Sequence, residues 1–163
     1  MPCHKKMDKK YRQINVLTFV GISVVMGTLV ITAFQSGHPW SLTCYQCRAC
    51  NLKCPLGYDV ARYVSAAYSN DPDLYMDAQN LQLRLDIAYE TDPNMVVEID
   101  GNTMTAEEAH EKYPGDRIVY ARKLRVKDAA KFDPLEGACE TTCPIDLPIT
   151  NIIRDLKEDG TFG

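Results

Sequence analysis

Hydrophobic and polar positions are spread very unevenly along this chain. From Ile14 to Phe34 the run INVLTFVGISVVMGTLVITAF carries no charged side chain. At 1.5 Å per residue it makes a helix about 31 Å long, close to the thickness of a bilayer's hydrocarbon core. Gly21 and Gly27 are tolerated in membrane helices, where they permit close helix contact. The run is longer than the apolar region of a signal peptide, and no small-x-small cleavage site follows it. The pattern therefore predicts one retained membrane-spanning helix over 14–34.

Beyond it the pattern breaks into short pieces. GYDVARYVSAAYS predicts a helix with Asp59 as its N-cap. DPDLYMDAQNLQLRLDIAYE, from Asp71, predicts a second, longer helix with Leu74, Leu81, Leu83, Ile87 and Ala88 as a core stripe. NMVVEIDGNTMT predicts strand, turn and strand about Asp100–Gly101. TAEEAHEKY opens with Thr105 and places Glu108 three residues on, the mark of a capping box. RIVYARKLRV alternates in part and reads as a strand or an extended arm, and PITNIIRDLKEDG as a short amphipathic helix stopped by Gly160. The expected fold is mainly α with a small β insert, behind one N-terminal transmembrane helix.

Charge adds orientation. Lys5, Lys6, Lys9, Lys10 and Arg12 precede the apolar run, whereas Gln35 to Trp40 follow it without Lys or Arg. The positive-inside rule then puts the N-terminus in the cytoplasm and the body outside, single-pass in the cytoplasmic membrane, with Trp40 as an interfacial anchor. The 163 residues carry a net charge of −4, which provides no general field for nucleic acid. Arg117, Arg122, Lys123, Arg125 and Lys127 form the densest basic strip, read as a solvated face or as a dock for an acidic partner.

The cysteines carry the chemistry. Cys44, Cys47, Cys50 and Cys54 form C-x2-C-x2-C-x3-C-P, and Cys139 and Cys143 repeat only its last half as CETTCP. A disulfide framework rarely sets three thiols at a strict three-residue interval, because bridges across such short loops are strained. A structural zinc site usually combines two C-x2-C knuckles or adds H-x3-5-H, and neither occurs here. The full run is the ligand pattern of bacterial ferredoxins. Thiolates every third residue wrap one side of a cubane cluster, and the remaining ligand comes from elsewhere in the chain.

On these residues the chain resembles the two-cluster [4Fe–4S] ferredoxin-type domains. It is most similar to helical ones such as the small iron–sulfur subunit of heterodisulfide reductase. The resemblance covers Cys44 to about Tyr68 and Gly137 to about Leu156. In that family the fourth cysteine of each motif serves the other motif's cluster. The resemblance therefore implies one [4Fe–4S] cluster on Cys44, Cys47, Cys50 and Cys143. Counting back from Cys139, the positions of the two missing cysteines hold Asp133 and Glu136, harder ligands for iron–sulfur clusters. Three readings of Cys54 and Cys139 stay open: a disulfide, a pair of free buried thiols, or a second cluster or metal with Asp133, Glu136 or a partner. The expected organisation is a basic segment (1–13), the helix (14–34) and an iron–sulfur domain (35–163). Its cluster halves are 44–68 and 133–156, around an insert at 69–132. Cys3 lies beyond the helix, out of reach of these thiols, and reads as an unpaired or lipid-modified thiol.

No C-x-x-C-H haem site, glycine-rich nucleotide loop or catalytic Ser/His/Asp set is present. His38, just past the helix, reads as an interfacial histidine before it reads as a haem ligand or quinone partner. A fully thiolate-ligated cluster has no open iron position, which leaves one-electron transfer as its work. The expectation is a non-catalytic electron-transfer subunit of a respiratory membrane complex, linking a quinone- or haem-binding subunit to another iron–sulfur or cytochrome subunit. The alternative is a structural or assembly subunit in which the cluster or a disulfide only stiffens the domain.

Overall fold

The computed structural model describes the backbone of residues 3–113, 115, 117–135 and 137–162, with side chains from Tyr11 onward. Helix α1, Cys3–Gln35, takes in the whole apolar run and reaches back through the basic segment. Its stretch Tyr11–Gln35 is long and apolar enough to cross a membrane. Leu17 is 72 % and Phe19 73 % exposed, so the body leaves most of this apolar stretch uncovered. Only the last turns enter the body: Ala33 and Ser36 are fully buried, and α1 packs against α2.

The body has a helical half and a sheet half sharing one core. The helical half joins α2 (Ala61–Ser69), α5 (Val126–Phe132) and α6 (Ile149–Asp159). Tyr63, Ala66 and Ala67 of α2 meet Ala129 and Ala130 of α5 and Ile152, Ile153 and Leu156 of α6, all at most 1 % exposed. Small residues on two of the three faces let the axes approach closely. Gly160, at φ 69°, ends α6 as the sequence predicts. Asp59 does not cap α2: the cap position is Val60, with no side-chain bond. Asp59 instead accepts from Asn51 Nδ2 at 2.7 Å and lies 3.8 Å from both Arg48 and Arg62.

The sheet half corrects the long helix expected from Asp71. That segment is β1 (Tyr75–Asp77), β2 (Gln82–Arg84) and a short α3 (Leu85–Thr91). Leu81, Leu83 and Leu85 are buried while Gln82 and Arg84 are exposed, a period of two that suits a strand. β3 (Val96–Ile99) and β4 (Asn102–Thr105) form the predicted hairpin, with Asp100 at φ 50° and Gly101 at φ 80°. Thr105 and Glu108 make both bonds of the capping box that opens α4 (Ala106–Lys112). β5 (Ile118–Arg125) is the central strand, antiparallel to β3 on one side and to β1 and β2 on the other.

A register shift opposite Val96 and Val97 lets Ala121 and Leu124 both face inward. β1 leads into the insert and β5 leads out, and they pair from Tyr75↔Arg125 to Asp77↔Lys123. That pairing returns the chain to where it left, so α5 delivers Asp133 beside α2. The insert is therefore a closed excursion that brings the two cysteine segments together.

Candidate metal centre

The two cysteine segments repeat one backbone. Shifting the chain by one fixed interval lays Cys44 on Asp133, Cys47 on Glu136, Cys50 on Cys139 and Cys54 on Cys143. Under that shift the left-handed residues coincide: Gln46 (φ 53°) with Leu135 (φ 57°), Arg48 (φ 59°) with Gly137 (φ 68°), and Gly57 (φ 66°) with Asp146 (φ 49°). Side chains other than glycine avoid this region, so three coincident pairs mark one loop built twice. Each loop closes in a 3-10 turn, Ala49–Lys53 and Glu140–Thr142, and those turns pack on each other. Each then leaves through Cys–Pro with matching angles, φ −73° and ψ 117° at Cys54 and φ −71° and ψ 120° at Cys143.

A helix follows each loop, α2 after the first and α6 after the second, and each turn is fastened to it. Asn51 reaches Asp59 ahead of α2; Glu140, its counterpart, accepts from the backbone amide and the hydroxyl of Thr150 in the first turn of α6. At Gly57 a side chain would also meet Gln79 Cβ at 2.9 Å, which ties the first loop to the insert.

Two clefts result. The first, of about 350 Å³ counted with the solvent at its mouth, is lined by Cys44, Cys47, Cys50 and the distant Cys143. Its floor is apolar, from Ala61, Val64, Leu147 and Ile149. Burial pushes the Cys44 thiol up and Cys50 to about 11, and each is raised further by the neighbouring cysteines. Cys44 and Cys50 on this apolar floor resist ionising, and a multivalent cation beside them removes that resistance. The four therefore fit an iron–sulfur cluster as a donor set.

The second cleft, of about 320 Å³ on the same count, is lined by Cys54, Cys139 and Asp133, with Pro134, Gly137 and Ala138. Burial, and then the Asp133 charge, push Cys139 up to about 12. Tyr58 N–H donates to Cys54 Sγ at 3.3 Å. Cys44, Cys47, Cys50, Cys54, Cys139 and Cys143 are all free thiols, so no bridge joins Cys54 to Cys139 here. Among the described residues, no three His, Cys, Asp or Glu side chains are grouped to hold a single metal ion. Glu136 and the Cys3 side chain lie outside the described residues.

The remaining sequence candidates fall elsewhere. His38 is buried between Trp40 and Phe162, and its Nε2 lies 2.9 Å from Asp155 Oδ2 without hydrogen-bond alignment. The basic strip is largely paired within the chain: Arg122 with Glu98, Arg125 with Asp92 and Asp128, and Lys127 with Asp73. The sequence reading missed the extent of the repeat, which the fixed spacing between Pro55 and Pro144 could have revealed. Compared with protein-family models, curated proteins and solved structures, the chain matches none.

Proposed function

We propose that the protein is a membrane-anchored electron-transfer subunit whose first cleft holds a [4Fe–4S] cluster on Cys44, Cys47, Cys50 and Cys143. The observation that carries this is the convergence of three closely spaced cysteines and one distant cysteine on one apolar-floored cleft. When bound, such a cluster supplies one-electron redox chemistry.

The chain's own residues set its conditions. Ala61, Val64, Leu147 and Ile149 keep water from the inner side of the cleft. The nearby backbone amide of Gln46 favours the Cys44 thiolate. Cys47 is exposed and is the shortest way out for an electron. Helix α1 would hold the cleft at the bilayer surface, since only eight residues separate Gln35 from Cys44. The partners of this reading are a quinone- or haem-binding membrane subunit and a second iron–sulfur or cytochrome subunit. The N-terminus lies in the cytoplasm and the body outside.

The test is the oxidation state of the cluster in native membranes. Paramagnetic resonance should show it reduced by respiratory donors and reoxidised when they are exhausted. Cys143→Ala should abolish the signal. A cluster that stays in one state throughout turnover would leave only the structural or assembly role, and a chain without iron would remove both readings.

A further inference from the structure

We infer that the second cleft holds a second iron–sulfur cluster in which the Asp133 carboxylate takes the ligand position that Cys44 fills in the first. This rests on the reading of the first cleft as a cluster site.

Asp133 matches Cys44 in more than count. The Leu135 amide donates to Asp133 Oδ1 at 2.8 Å, and the equivalent amide, Gln46, favours the Cys44 thiolate. Gln46 and Leu135 share the left-handed conformation, so the thiol and the carboxylate stand at the start of the same turn. Cys139 stands where Cys50 stands, and Cys54 enters from the other loop as Cys143 does in the first cleft. Three of four ligand positions thus line the second cleft with metal-binding side chains. The Tyr63 hydroxyl is fully buried without a hydrogen-bond partner, within electrostatic reach of Asp133, Cys54 and Cys139. A site that had merely decayed would be free to fill with apolar side chains. Glu136, at the Cys47 position by register, lies outside the described residues and is given no part.

The choice of a cluster over one ion follows from the correspondence of the two clefts, since Asp133, Cys139 and Cys54 hold the positions of Cys44, Cys50 and Cys143. Ligation would release the Cys54 and Cys139 protons to solvent, and no electron moves in that step. An oxygen ligand binds iron–sulfur clusters more weakly than thiolate, so the second centre should be the first to yield to a chelator.

The experiment uses the full chain, purified without oxygen in detergent, with iron and sulfide counted and Mössbauer spectra recorded after isotopic enrichment. The expected result is about eight irons per chain, with one component showing mixed oxygen and sulfur ligation. Asp133→Cys should keep the iron and erase that component. Cys139→Ser, checked for folding by circular dichroism, should lose the second centre and keep the first. About four irons per wild-type chain, as with a Cys54–Cys139 disulfide or two free thiols, would overturn this inference and leave the first cluster standing. A single non-cluster ion beside the first cluster, or an Asp133→Cys spectrum equal to the wild type, would also overturn it. No iron at all would overturn both readings.

Discussion

The hydroxyl of Thr32, in the last turns of α1, donates a 2.6 Å hydrogen bond to the backbone carbonyl of Tyr68 in α2. Carbonyls in a helix's last turn have no partner inside the helix, so Tyr68 needs one from outside. The bond joins the apolar helix to the helix that follows the first cysteine loop.

Thr32→Val keeps the shape and removes the donor, leaving the Tyr68 carbonyl unpaired. The expected loss is about 1 kcal/mol, read as a lower melting temperature in detergent. Thr28→Val is the control, because Thr28 bonds only to Val24 within α1 and is exposed. Equal effects from the two would show that Thr32 plays no part in docking the body.

Arg125 should matter for stability rather than for partners. Its guanidinium lies 3.2 Å from Asp92 and 2.7 Å from Asp128, whose side chains are 3 % and 1 % exposed. Arg125→Ala takes the ion-pair partner from buried Asp92 and leaves buried Asp128 with Lys131 alone, at a cost of about 3 kcal/mol. Denaturant unfolding should show this, whereas Lys123→Glu, on an exposed side chain, should change little. A variant of Arg125 as stable as the wild type would return the strip to a docking role.

The metal-free protein should weaken in alkali. Folding raises the Cys50 thiol to about 11 and Cys139 to about 12, chiefly by burial. Unfolded thiols ionise near pH 8.5, so above that the unfolded state binds fewer protons than the folded one. Stability from these thiols is complete below about pH 8.5 and is lost as pH climbs through the folded values. Denaturant midpoints of the metal-free chain should fall over that range, and less steeply for Cys139→Ser. Parallel curves would mean that Cys139 ionises alike in both states.

Sequence revealed what is local. The span from Ile14 to Phe34, the Asp100–Gly101 turn, the Thr105–Glu108 box and the Gly160 stop each lie within a few residues of the structure they specify. The helix expected from Asp71 failed because its strands are defined by a partner far along the chain: Leu83 pairs with Val119, and Met76 with Leu124. Good helix formers such as Leu, Gln and Arg gave no local sign of this. At the site, spacing named the cysteines and counting back named Asp133. That Gln46 and Leu135 share one left-handed turn is a property of the backbone, which their side chains, an amide and a leucine, do not announce.

Topology is the last quantity the sequence predicts, and it bears on how the centre is made. Lys5, Lys6, Lys9, Lys10 and Arg12 lie before the apolar stretch of α1, so the rule for positive charge leaves the N-terminus in the cytoplasm and the clefts outside. Clusters are assembled in the cytoplasm, so a loaded body would have to cross folded. The nearest approach to a twin-arginine signal is KKYR, Lys9 to Arg12, and the chain would then travel with a partner bearing the signal. Outside, a Cys54–Cys139 pair not held by metal should oxidise to a disulfide; in the cytoplasm it should stay reduced. A membrane-impermeant thiol reagent can decide the sidedness. Thr161 is exposed near the C-terminus, so Thr161→Cys gives a handle away from both clefts. Cells stripped of any outer barrier should label at position 161 while the inner membrane is intact, and at Cys3 only after lysis. Labelling in the reverse order would put the clefts in the cytoplasm, where no folded export is needed and the basic segment faces outward.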